Sequence, residues 1–137
     1  VFAIAVWEHV VDPFAFVCEA MRLLAPGGLL YLVCPDYGSA ARRLMRRRWP
    51  YFSPGEHLNM PSLEGARCCL RRASEEVGLA PKLGPAPLIR ARAVWLPYTL
   101  GYVARRFGLD RLARRMSAGL AVPLPAGALE ARLVRPV

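Results

Sequence analysis

The sequence predicts an α/β fold built on a parallel sheet, and three observations carry that expectation. Two uninterrupted apolar runs, Val1 to Val6 and Leu29 to Cys34, read as strands of the kind buried on both faces. Between them Phe14, Val17, Met21 and Leu24 recur at helical spacing, which puts one apolar stripe against a sheet. Pro26-Gly27-Gly28 then separates this helix from the second run. Strand, helix, glycine turn and strand make a β-α-β unit with a right-handed crossover.

Taken in order, Asp12-Pro13 supplies an N-cap and a proline at the first helical position. Pro35 closes the second strand. Ser39 to Arg48 predicts a short, basic helix with Ala40, Leu44 and Met45 as its apolar side, and the proline-bounded segment Trp49 to Pro61 predicts a loop. Ser62 caps a helix in which Leu63, Ala66, Cys69, Leu70, Ala73 and Val77 share a face, and Gly78 ends it. Prolines 81, 85 and 87 leave room for only an edge strand near Leu88 to Ala93. Tyr98 to Leu120 predicts helix broken around Gly108 to Asp110, and Leu129 to Val134 a last strand.

Composition limits the function classes. The 137 residues are 55% hydrophobic and 21% charged, a globular balance on the scale of one domain. The uncharged stretch Ala93 to Ala104 is well short of the ~20 residues that a membrane span needs. The opening residues lack the basic start of a secretory signal. A chain that opens inside an apolar run is expected to have further sequence upstream. The four cysteines form no C-x-x-C pair and are read as packing residues in a reducing, cytoplasmic setting, so no metal ligands are assigned. The net charge of +9 is almost wholly arginine, with Lys82 the single lysine. A coding preference for arginine explains this as well as an anionic partner does.

A spaced set of residues carries more specific information. Trp7-Glu8-His9-Val10-Val11-Asp12-Pro13, then Glu19, Arg22-Leu23-Leu24 and Pro26-Gly27-Gly28-Leu29-Leu30 resemble the class I S-adenosylmethionine-dependent methyltransferases. Members of that family carry a Leu-Glu-His segment after strand four and a Pro-Gly-Gly turn before strand five. Cys34-Pro35-Asp36 is similar to the end of strand five, and Glu56-His57-Leu58 with Ser62-Leu63 to the loop before the next helix. The resemblance implies a Rossmann-like methyltransferase fold, a mostly parallel sheet with one antiparallel strand, here truncated before strand four. Residues 1–78 would be the motif-bearing part of a partial domain spanning 1–137, and 79–137 its carboxy-terminal strands and basic helix.

The departures are Trp7 where the family usually has leucine, Ala5 where a polar residue is common, and Pro61 where an aromatic residue is frequent. The glycine-rich loop after strand one and the acidic residue after strand two are not among these residues; Gly27-Gly28 precedes a strand, whereas a cofactor loop follows one. The chain alone is therefore expected to bind S-adenosylmethionine weakly, or not at all.

The same resemblance assigns candidate sites. Ile4, Ala5, Val6 and His9 fall near the cofactor, because ligands of open α/β sheets sit beyond the carboxyl ends of the strands. His57, in a proline-bounded loop, is the candidate general base: methyl transfer to oxygen or nitrogen needs the acceptor's proton removed, and imidazole suits that task. Asp36, Tyr37 and Trp49 are candidates for contacting the acceptor. Each has a plainer reading: His9 and His57 as loop braces, Asp36 as a turn cap, the aromatics as a lid packed on itself. The functional expectation is methyl transfer to a small molecule, with no nucleic-acid partner. The alternative is a non-catalytic basic module binding nucleic acid or an anionic membrane surface. Peripheral membrane contact would fall to the arginines of 42–48 and of the stretch Trp95 to Met116.

Overall fold

The computed structural model describes residues 1–79, 87–116 and 121–137. Its described strands are β1 (Phe2–Ile4), β2 (Leu29–Pro35), β3 (Leu88–Thr99) and β4 (Ala121–Val134). They form one sheet in the order β1-β2-β4-β3. β1 runs parallel to β2, whereas β4 runs antiparallel to both β2 and β3. Three strands thus share a direction and one opposes them, the arrangement expected from the sequence.

The β-α-β unit forms as read. Asp12 accepts hydrogen bonds from the Phe14 and Ala15 amides (3.0 and 2.9 Å) and starts α1 (Pro13–Arg22). Val17, Met21 and Leu24 are buried, joined by Cys18 and Ala20. Ser62 Oγ caps α3 (Leu63–Glu76) through the Gly65 amide (3.1 Å), and Ala66, Leu70 and Ala73 are buried along it. Both helices enclose a core with Ala3, Leu30, Leu32 and Cys34 from one side of β1 and β2, and Ala91, Leu129, Ala131 and Leu133 from β3 and β4.

On the other face of the sheet the described residues leave β1 open. Phe2 and Ile4 are 71% and 61% exposed there. Tyr31 donates to Glu130 (2.8 Å), which also pairs with Arg92 and Arg132. The apolar run at residues 1–6 therefore buries only Ala3 within β1. It also ends early as a strand, because Ala5 turns to a φ of 53°.

Other boundaries moved for identifiable reasons. β3 extends beyond Ala93 because β4 pairs along its whole length, with one irregularity between Val94 and Trp95. β4 begins at Ala121 rather than Leu129; Pro123 and Pro125 lie beyond the part paired with β2, where a missing N–H is tolerated. The basic segment gives α2 (Ala40–Met45) and a 3-10 turn (Arg46–Arg48). Ala40 and Leu44 are exposed there, not an apolar side facing the core, since six residues are too few to lay a stripe on the sheet. The expected broken helix appears as α4 (Leu100–Arg106) and α5 (Asp110–Arg115), split at Gly108 with a φ of 77°. Pro81 and Pro85, and the end of that helix at 117–120, lie outside the described residues.

Candidate functional site

The site is built where the chain leaves the carboxyl ends of β1 and β2. Ala5 still pairs with the sheet, its amide donating to Val33 O (2.9 Å). Trp7 to His9 then form a 3-10 turn. Trp7 holds it: its ring is buried and its Nε1–H donates to Pro13 O (3.0 Å), tying the turn to the start of α1. A leucine could fill the space but could not make that bond. Glu8, next in the turn, faces inward and is 3% exposed, whereas His9 faces outward.

The loop 49–61 folds over this turn and is stitched to it. The Asn59 amide donates to Glu8 O (3.0 Å), and Asn59 Nδ2 donates to Val10 O. The Ser53 hydroxyl bonds the Glu56 carboxylate (2.6 Å), and the His57 amide donates to Ser53 O (3.0 Å), which shapes the loop locally. These bonds carry His57 onto His9: their rings meet edge to face, centroids 4.9 Å apart.

Both imidazoles are held in one tautomer. His9 Nδ1 lies 2.7 Å from Glu56 O, and His57 Nδ1 lies 2.7 Å from Tyr51 O. A carbonyl oxygen only accepts, so each Nδ1 carries a proton, and in the neutral ring the lone pair is on Nε2. Beneath them, Glu8 Oε2 is buried without a hydrogen-bond partner, one of two such side-chain atoms among the described residues.

The remaining candidates divide. Ile4, Ala5 and Val6 are exposed at the carboxyl end of β1, and offer an apolar wall. That surface suits one side of a cofactor. Gly38, the glycine that follows β2 and precedes α2, is no phosphate cradle, because a Cβ there would lie 3.0 Å from Ser62 Cβ.

Asp36 is buried and turned inward. Its Oδ1 accepts from the Gly38 amide (2.9 Å) and its own amide donates to Gly127 O (2.6 Å). Burial raises its carboxyl above the usual aspartate range, against the opposing effect of the Gly38 and Leu63 amides and of Arg43. Trp49 is 1% exposed and rests on Gly127, so it presents no open surface to an acceptor. Its edge meets Tyr51 at 5.4 Å and Tyr37 at 6.5 Å. Of the three acceptor-contact candidates, Tyr37 alone is open, 39% exposed under the Arg42 guanidinium at 3.9 Å. The row Tyr37, Trp49, Tyr51 leads to His57, so one exposed aromatic and two imidazoles border the same loop. Glu8 joins this group because its turn is held by Trp7 on one side and by Asn59, distant in sequence, on the other.

Comparison with known proteins bears on this arrangement. Residues 1–79 match a family model described as a methyltransferase domain. No curated protein matches the chain. Among solved structures, a SAM-dependent methyltransferase from Thermotoga maritima, a possible histamine N-methyltransferase, is 14% identical with a TM-score of 0.57. The likeness covers 98% of this chain and 54% of that one. A chain of the structure titled complex between the Haloferax volcanii Trm112 methyltransferase activator and the putative methyltransferase is 16% identical with a TM-score of 0.53, over 99% of this chain and 53% of its own. The chain thus spans about half the length of these structures, which share its fold.

Proposed function

The chain belongs to the methyltransferase-domain family, and from that premise we propose that it forms the acceptor side of an enzyme moving a methyl group from S-adenosylmethionine to a small molecule. The observation that carries this reading is the His9–His57 pair, with free Nε2 lone pairs at the carboxyl ends of two parallel strands. When bound, S-adenosylmethionine supplies an electrophilic sulfonium methyl. The chain's own residues bind, orient and deprotonate. Ile4, Ala5 and Val6 give the cofactor an apolar wall, and His9 lies at its edge. His57 Nε2 takes the proton from an acceptor hydroxyl or amine, and Tyr37 offers a flat surface for an acceptor ring. The rest of the rate comes from holding nucleophile and methyl carbon in line.

These residues supply only one wall for the cofactor, so the 137-residue chain by itself is expected to hold S-adenosylmethionine weakly. In an active enzyme carrying this segment, His57→Gln should lower kcat by about 10²–10⁴-fold, the usual worth of a positioned base. KM for S-adenosylmethionine should hardly change. Unchanged turnover would end the role of His57.

A second reading is favoured by one surface. Leu109 and Leu112 are 51% and 50% exposed beside Arg111, Arg114 and Arg115 on α5. Such a face suits peripheral contact with an anionic membrane. Retention on anionic vesicles that is lost at high salt would support it, and absence of retention at low salt would dismiss it.

A further inference from the structure

Glu8, His9 and His57 each offer a ligand atom, and these three atoms lie within 4.8 Å of one another. Three further features make this a built cluster. Each Nδ1–H is given to a backbone carbonyl, so the lone pair left to each imidazole is on Nε2. Metal-binding histidines are oriented by this kind of second bond. Glu8 is 97% buried, yet its Oε2 has no donor, and a buried carboxylate oxygen without a partner is costly. His9 is exposed and His57 half-buried, so the cluster opens to solvent on one side.

We propose that Glu8, His9 and His57 bind one divalent transition-metal ion, of the zinc, cobalt or iron(II) class. Two neutral imidazoles and one carboxylate form the donor set of open sites that keep a position for water or substrate. Magnesium and calcium prefer all-oxygen shells and fit poorly. Ligand atoms at about 2.0–2.2 Å from an ion lie roughly 3.4 Å apart in a tetrahedral site.

The consequence for chemistry rests on the methyl-transfer reading above; the binding itself does not. An ion held there would take the Nε2 lone pair of His57, so the general-base role proposed above belongs to the ion-free protein.

The test is titration of the chelator-stripped 137-residue chain with Co²⁺, followed by Zn²⁺ displacement. One equivalent should bind, with visible d–d absorption and without the near-ultraviolet band of a thiolate ligand. His9→Asn and His57→Asn should each weaken binding on the order of a hundredfold. His9 is exposed, so His9→Asn should keep the wild-type circular dichroism and isolate the loss of a ligand. Zn²⁺ should raise the thermal midpoint of the wild type more than that of either variant. No stoichiometric binding, equal affinity in His9→Asn, or a thiolate band abolished by Cys68→Ser would each overturn the proposal. Binding that persists in a protein shown not to transfer methyl groups would uphold the site and remove only the methyl-transfer reading.

Discussion

Two residues show how single side chains hold the frame around the site. Gly127 sits at a φ of 76°, and a Cβ there would meet Ser39 Oγ at 2.9 Å and Trp49 Cε2 at 3.0 Å. Gly127→Ala should therefore destabilise the fold by roughly 1–3 kcal/mol, through strain and overpacking against Trp49. Urea denaturation measures this, and a neutral result would mean that Trp49 moves aside freely. Glu130 anchors the open face of the sheet. Burial pushes its carboxyl up, but Arg92, the Tyr31 hydroxyl and Arg132 outweigh that and hold it below the usual glutamate range. A lowered folded value means stability present above the ordinary carboxylate range and lost as pH falls through the folded value. The urea midpoint of the wild type should thus drop more between about pH 6 and pH 3 than that of Glu130→Gln. Equal drops would show that the cluster adds no pH dependence. Neither arrangement is encoded locally: Gly127 and Trp49 are brought together by pairing of β4 with β2, and Glu130 meets Tyr31 and Arg92 from the two strands that flank β4.

At the scale of elements, local signals were legible wherever one segment contains its own determinants. Asp12-Pro13 and Ser62 are caps that act within one turn, and the stripes of α1 and α3 lie within single helices, so these elements appear where the residues put them. Leu70, fully buried on α3, should cost about 2–5 kcal/mol when replaced by alanine. Ser62→Ala should cost about 1 kcal/mol. Chemical denaturation of the two variants should reproduce that order, and a larger loss from Ser62 would place its main role outside capping. Elements whose extent depends on a distant partner were misjudged. β3 and β4 each lengthen because the other is there, and β1 shortens because Ala5 turns away. Likewise His9 and His57 were singled out separately, but their meeting depends on Asn59 bonding to the Glu8 turn.

For the whole molecule, the sheet with a single opposed strand among the described residues, the match to a methyltransferase domain over residues 1–79 and the fold shared with two solved structures agree on one scaffold. Fold does not by itself fix chemistry; that rests on the paired imidazoles and the apolar edge at the carboxyl end of β1. The most direct measurement is to supply S-adenosylmethionine labelled in its methyl group to the longest natural form of the protein, with small hydroxyl and amine compounds as acceptors, and to follow the label. The account predicts label in a small-molecule product, in amounts that fall sharply with His57→Gln. Label recovered only in nucleic acid, or no transfer from a protein that binds the cofactor, would contradict it.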